Sequence, residues 1–168
     1  MHNIVYLSDE WQFFANENKA RNLNSQAVLN KPLSDFITGR ESVHIYEMLI
    51  NRVSQGQAEI SFPFRCDSPE RRRFMQMEIF PVDGELIGFK SCVLREEYRE
   101  PVGLLDVDIA RSKEFVNICS WCKCVDIGEN KWLEVEEAIE KLEIFNLSSL
   151  PQLSHGVCPS CYKNIRRK

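Results

Sequence analysis

The sequence predicts an α+β fold in two parts, an antiparallel sheet with helices followed by a small cysteine module of helix and ribbon. Apolar residues first recur with the spacing of helices, and from residue 58 they alternate with polar residues as in strands. Two C-x-x-C motifs then mark a separate C-terminal part. We predict a sheet domain over residues 1–98, a linker with a connecting helix over 99–118, and the cysteine module over 119–168.

The N-terminal segment predicts a short strand over residues 3–7, followed by a helix. Ser8 or Asp9 can cap this helix, because short polar side chains accept hydrogen bonds from its first free N–H groups. The apolar residues at helical spacing are Trp11, Phe14 and Ala15. A second interpretation places residues 12–15 in a strand.

A longer helix is predicted from Ser42 to Ser54, after a short helical turn near residues 32–37 that Gly39 ends. Its apolar residues form one stripe, and Gly56 marks its end. His44 falls outside the stripe, so we expect it at the surface. The stripe consists of Val43, Tyr46, Leu49, Ile50 and Val53.

Three strands are predicted next, at residues 58–65, 73–82 and 86–95. Pro63 removes one backbone donor, so the first strand should lie at an edge or carry a bulge. Asp83 and Gly84 form a two-residue hairpin signal between the second and third strands. The predicted inward faces carry Ile60, Phe62 and Phe64, then Met75, Met77 and Ile79, then Ile87, Phe89, Ser91 and Val93.

The cysteine motifs predict a structural zinc site formed by Cys119, Cys122, Cys158 and Cys161. Two residues between cysteines let one tight turn direct both sulfurs at one metal, and two such turns supply the four thiolates of a tetrahedral Zn²⁺ site. Four thiolates leave no open coordination position, so we expect no hydrolytic role. The alternative is a pair of turns without a ligand. Cys124 is an additional thiol, either redox-active or simply buried.

Around these motifs we predict a helix over residues 112–118 that leads to the first cysteine turn, and a second helix over 133–142 after Trp132. Residues 144–153 are predicted as loop. The proline after Cys158 suits a turn that starts a helix.

Composition excludes several classes of protein. The formal net charge of −4 argues against an extended nucleic-acid surface, and no apolar run approaches the roughly 18–20 residues of a membrane span. The N-terminus lacks the features of a signal peptide, so we expect a cytoplasmic protein, in which paired cysteines more often bind metal than form disulfides. No motif of the common enzyme classes is present, which predicts a non-catalytic protein.

The order of elements resembles a PAS domain over residues 3–98, the sensory domain of many bacterial signalling proteins. The matching segments are Ile4 to Tyr6, Trp11, Phe14, Ala15 and Asn18, then Lys31 to Leu33 and Asp35 to Ile37. One strand stands before the helices where PAS domains usually have two. The resemblance implies a sensor that binds a ligand or docks a partner.

The C-terminal part is similar to a cysteine module appended to many bacterial sensory proteins. The similarity covers Cys119, Cys122, His155, Gly156, Cys158 and Cys161, although the spacer here is longer. It implies a signalling context. His155 lies three residues before Cys158 and is either a ligand in place of a cysteine or a group that orients a thiolate.

PAS domains often hold haem, flavin or a metabolite, and one set of residues could line such a pocket here: Tyr46, Phe62, Phe64, Met75, Met77 and Phe89. The alternative is a filled hydrophobic core.

Two functions follow from these observations. The first is a non-catalytic sensory or regulatory module with structural zinc, which acts on a signalling partner or on a second copy as a homodimer. The second is a thiol redox protein that uses its C-x-x-C pairs. A weaker third is a nucleic-acid contact through Lys163, Arg166, Arg167 and Lys168.

Overall fold

The computed structural model describes residues 2–18, 20, 23–83 and 85–168. The chain forms two compact units, Met1–Thr38 and Gly39–Lys168. Both helices and antiparallel strands are present, which confirms the α+β class at this coarse level. The predicted domain boundaries near residues 98 and 118 stay predictions.

The N-terminal unit contains α1 (Asp9–Glu17), α2 (Ser25–Val28) and a 3-10 turn at Leu33–Phe36. Ser8 caps α1, because its side chain accepts a hydrogen bond from the Trp11 N–H. The alternative interpretation of residues 12–15 as a strand is therefore wrong. The predicted strand at residues 3–7 is reduced to one isolated bridge between Asn3 and Pro32, since the unit offers this segment no longer strand to pair with.

The long helix α3 (Arg40–Ser54) begins two residues before its predicted start. Its buried face is rotated from the predicted stripe: Ile45 is buried at 1% exposure, whereas Val43 is only half-buried. His44 is exposed, as predicted. Gly39 precedes α3 and does not end the earlier 3-10 turn, which stops at Phe36.

The first sheet follows α3 and has the order β1-β2-β3, with β1 (Ile60–Arg65), β2 (Arg71–Pro81) and β3 (Ile87–Tyr98) antiparallel. Pro63 lies on the edge strand β1, as its missing N–H predicts. The register shifts between Phe74 and Met75 of β2, which leaves Leu94 of β3 without a partner on β2. Gly84 of the predicted hairpin lies outside the described residues.

The second sheet has the order β6-β5-β4-β7 and contains β4 (Arg111–Cys119), β5 (Val125–Asp126), β6 (Trp132–Leu133) and β7 (Leu150–Gly156). Two predictions are corrected here. The expected helix at residues 112–118 is strand β4, and most of the expected loop at 144–153 is a 3-10 turn at Ile144–Asn146 followed by β7. The reason is that β4 and β7 pair in parallel, a contact between distant segments that local periodicity does not reveal.

Two short helices complete this unit, α4 (Val135–Lys141) and α5 (Pro159–Ile165). Cys158 caps α5 and Pro159 begins it, as the motif predicts. Two hydrophobic cores form. The first joins α3, β1 and β2 to Cys119, Trp121, Cys158 and Ile165. The second joins α4 to Leu104, Ile118, Val125 and Ile144.

Candidate metal centre

Parallel pairing of β4 with β7 brings the two cysteine motifs side by side. Cys119, the last residue of β4, lies opposite Gly156, the last residue of β7. The Ser120 N–H donates to the Gly156 carbonyl oxygen at 2.9 Å, so the segments that follow β4 and β7 leave the sheet side by side. Cys158 follows two residues later as the cap of α5, and Cys161 lies in the first turn of that helix. A strand end and a helix start thus supply two cysteines each.

The ligand atoms of Cys119, Cys122, Cys158 and Cys161 all lie within 4.8 Å of one another. The Sγ atoms of Cys122 and Cys158 are 3.7 Å apart. A tetrahedral zinc with Zn–S bonds of about 2.3 Å requires sulfur–sulfur distances of about 3.8 Å, and a disulfide requires about 2.05 Å. All seven cysteines are free. The four sulfurs could therefore hold a metal ion.

Backbone N–H groups surround the sulfurs. The Cys158 N–H donates to Cys119 Sγ at 3.4 Å, and the Cys161 N–H donates to Cys158 Sγ at 3.4 Å. The first turn is closed by the Lys123 N–H, which donates to the Cys119 carbonyl oxygen at 3.0 Å. Such donors stabilise negative charge on sulfur, which four thiolates around a divalent cation would carry.

The four cysteines differ in burial and in acidity. Cys119 and Cys158 are buried at 0% and 4% exposure, and the other two are half-buried. Hydrogen bonds from Cys119, Cys124 and Cys161 hold the pKa of the Cys122 thiol far below its usual range. Burial raises the pKa of Cys158 to about 11. The neighbouring thiols thus favour the charged form of Cys122, and a metal bound by the four sulfurs would displace their remaining protons.

Lys123 lies beside the cluster with a left-handed backbone, φ 63°. Its Nζ donates to the Ser120 carbonyl oxygen at 2.8 Å. Burial lowers the pKa of Lys123. The Nζ group of Lys123 thus lies next to the first cysteine turn, where burial disfavours its charged form.

The group of four clustered ligand atoms contains neither His155 nor Cys124. His155 lies on β7 opposite Ile118, and burial, with the nearby Lys123 charge, lowers its pKa. Cys124 is half-buried, with its sulfur 4.0 Å from Glu134 Oε1. A hydrogen bond with Cys122, together with burial, raises the pKa of Cys124. The predicted role of His155, as a ligand or as a group that orients a thiolate, and that of Cys124, as a redox-active or a simply buried thiol, stay predictions.

A network of ion pairs lies beyond Cys124, and no motif in the sequence indicates it. The Arg65 guanidinium, 8% exposed, donates to the Asp67 carboxylate and to Glu134 Oε1, the latter at 2.9 Å. Burial by itself lowers the pKa of Arg65, but the hydrogen bonds to Asp67 and Glu134 outweigh this effect. The pKa of Arg65 is therefore raised above its usual value, and the guanidinium stays charged. Arg99 extends the network, with its Nη2 3.3 Å from Asp67 and its Nη1 3.0 Å from Glu136.

Four of the residues predicted to line a ligand pocket belong to the first core or pack against it, namely Tyr46, Phe62, Phe64 and Met77. Phe62 is 1% exposed and Met75 5%, while Phe89 is 38% exposed. Tyr46 lies at the centre of an aromatic group, with ring centroids 6.5 Å from Phe62 and 6.3 Å from Phe89. The remaining two, Phe64 and Met77, are partly buried against this core.

Trp121 is the residue that sequence reasoning missed. It lies inside the first C-x-x-C motif, is 3% exposed, and stacks on Tyr46 with ring centroids 5.6 Å apart. Its buried Nε1–H has no hydrogen-bond partner among the described residues. The signal in the sequence is an aromatic residue inside a short C-x-x-C turn, because its side chain has to pack on a neighbouring core.

Comparison with protein-family models, with curated proteins and with solved structures found no match to this chain. None of the described helices combines the length and the apolar character needed to cross a bilayer.

Proposed function

We propose that this chain is a non-catalytic regulatory binding module whose C-terminal part is held together by a structural zinc ion. The observation that carries the proposal is the convergence of four cysteine sulfurs, from two C-x-x-C turns, within 4.8 Å of one another. Tetrahedral sets of four thiolates suit zinc or iron, and zinc alone among these needs no redox partner. All four positions would be filled by protein, so the metal would serve the fold.

The burial of the cluster supports a structural role. Cys119 and Cys158 belong to the same core as Ile45, Leu49 and Phe62. A metal that joins these cysteines would tie the end of β4 and the start of α5 to α3. Small cores often depend on such a link, because metal binding then contributes directly to the free energy of folding.

The regulatory part of the proposal rests on the resemblance to PAS domains. A helix followed by a three-stranded antiparallel meander, as in α3 and β1 to β3, supports it at the level of element order. We propose a sensory role in bacterial signalling in the cytoplasm, in which the module binds a small molecule near Tyr46 or docks a signalling protein or a second copy. Nucleic acid is not the proposed partner, given the net charge of −4.

Elemental analysis by inductively coupled plasma mass spectrometry, with thiols counted before and after chelation, tests the metal. We expect about one zinc per chain, and thiols of the four cysteines that react only after chelation. Cys122→Ser and Cys158→Ser should each lose most of the zinc. Cys92→Ser is the matched control, since Cys92 is exposed on β3 and outside the cluster; it should keep the zinc. Full metal in both cluster variants would refute the proposal.

The alternative is a thiol redox function, which is favoured by Cys124, a further thiol beside the four clustered cysteines. Cys124 shares a hydrogen bond with Cys122 and stays outside the group of four. Protein without metal, with thiols that react rapidly and form a reversible disulfide, would establish this alternative. Iron in place of zinc would instead indicate a redox-active or haem site.

A further inference from the structure

Strand β3 is exposed along most of its length. It pairs with β2 on one side, and among the described residues β2 is its only strand partner. Residues 89–96 are exposed on both faces of the sheet. The apolar side chains include Val93 at 48% and Leu94 at 61% exposure. A long edge strand with exposed apolar residues offers unpaired N–H and C=O groups to another strand.

The charged and aromatic residues of β3 are complementary to those of β3 in a second copy when the two strands run antiparallel. If Lys90 faces Glu97 of a second copy, then Phe89 faces Tyr98, and symmetry repeats both pairs. Opposite charges and aromatic pairs are favourable across antiparallel strands. Tyr98 is 75% exposed and the Lys90 side chain 64%. Their partners are partly exposed, Phe89 at 38% and the Glu97 side chain at 36%, and the Glu97 carboxylate lies 2.8 Å from Arg95 of its own chain.

The bulge makes this register possible. Lys90 pairs with Glu78 of β2, and Glu97 pairs with Arg72. Glu78 and Arg72 are an even number of positions apart on β2, and β2 carries no extra residue between them, so both lie on the same face of the sheet. Lys90 and Glu97, which lie opposite them on β3, therefore share that face. The same holds for Phe89 opposite Ile79 and Tyr98 opposite Arg71. Without Leu94 as the extra residue, the members of each pair would point to opposite faces.

We propose that β3 is a self-association surface, on which two copies of this chain pair antiparallel about a two-fold axis between Val93 and Leu94. The occupant is a second copy because the strand complements itself in this register. The contact would join two three-stranded sheets into one of six strands. A single strand pair is at the small end of specific interfaces, so we expect a weak, reversible dimer with Kd in the micromolar range. The inference deepens the self-association proposed above and is independent of the metal.

Analytical ultracentrifugation of the full chain over a range of concentrations tests the dimer. Lys90→Glu places a glutamate opposite Glu97 of the other copy at both symmetry-related positions and should raise the Kd about tenfold. Lys131→Glu is the matched control: its ammonium is 63% exposed and 2.9 Å from Glu129, as Lys90 is 64% exposed and 3.0 Å from Glu78. The control should dimerise like the wild type. A wild-type protein that stays monomeric throughout would overturn the proposal.

A charge exchange between two variants tests the register. Glu97→Lys alone should also self-associate about tenfold more weakly than the wild type, but mixed with Lys90→Glu it should form a tighter heterodimer, because both cross-strand pairs are then attractive. A mixture no tighter than either variant alone would rule the register out. Circular dichroism of each variant shows that loss of binding does not come from unfolding.

Disulfide cross-linking between two copies tests the same register directly. Cys92 should face Arg95 of the second copy, so Arg95→Cys should form an intermolecular disulfide with native Cys92 under mild oxidation. The double variant Arg95→Cys with Cys92→Ser should not cross-link. A cross-link in the double variant would contradict the register. Metal content, measured on the same samples, separates failure of this proposal from failure of the zinc proposal.

Discussion

At the scale of single residues, Gly39 shows how a backbone position near the cysteine module is fixed. Its φ is +92°, and a Cβ built on it would lie 2.4 Å from the backbone carbonyl oxygen of His155. The first condition disfavours any L side chain, and the second excludes one on space alone. The carbonyl belongs to β7, so it cannot move without disturbing the β4–β7 pairing.

We expect Gly39→Ala to destabilise the protein by about 2–4 kcal/mol, because strain of about 1–2 kcal/mol is added to a backbone clash. Gly128→Ala is the control: Gly128 has φ +91° but no atom within 4 Å of the added Cβ. It should show the strain alone. Chemical denaturation of both variants measures the difference, and equal losses would show that the close approach to His155 has no energetic effect.

At the scale of elements, α4 is held to the strands by its first turn. Glu136 Oε1 accepts from Arg72 at 2.7 Å and from Arg99 at 3.0 Å. Burial pushes the pKa of Glu136 up, but the hydrogen bond from Arg72, with further help from Arg99, lowers it below its usual 4.5. The folded protein therefore favours the ionised carboxylate.

The lowered pKa of Glu136 makes the free energy of unfolding depend on pH. Glu136 stabilises the fold fully above pH 4.5, and the contribution is lost as pH falls from 4.5 through the lower folded value, since the unfolded state then binds more protons. Glu136→Gln should lower stability at neutral pH and flatten its decline below 4.5. Glu137→Gln, at an exposed neighbouring position, should change neither. Unfolding free energies measured between pH 3 and 7 decide this; an unchanged acid slope in Glu136→Gln would contradict it.

At the scale of the whole second unit, the cysteine cluster is part of the fold rather than an appendage. Cys119 and Cys158 share a buried core with residues of α3, β1 and β2. The C-x-x-C motifs predict a separate C-terminal part over residues 119–168. The shared core indicates instead that loss of the proposed metal would weaken α3 as well.

We therefore expect that chelation raises amide hydrogen exchange in β4, β7 and α5, and also on the buried face of α3, while the Tm falls. Hydrogen-exchange mass spectrometry of the chelated protein and of Cys122→Ser measures both. The second core around α4 contains no cysteine of the cluster, so the amides of α4 itself provide the internal comparison and should respond less. Protection of α3 that stays unchanged on metal loss would show that the link to the first core is weak.

Part of this molecule was predictable because it is local. The helix from Ser42, the inward faces of the first two strands, the edge position of Pro63 and the helix after Cys158 each follow from period, proline chemistry or capping. The predicted inward face of the third strand is wrong: Phe89, Ser91 and Val93 are exposed, since β3 is an edge strand of its sheet. The four cysteines were identified because two residues of spacing is a requirement of metal geometry and is written in the sequence.

Tertiary structure decided the rest. Residues 112–118 are a strand because β7, more than thirty residues later, supplies a parallel partner. Arg65 and Asp67 are buried because Glu134 and Arg99 lie beside them, and Trp121 is a core residue because Tyr46 faces it. The sequence by itself determined which residues could bind a metal and which stretches alternate. Only the fold determined what each one packs against, because those contacts join residues far apart in the chain.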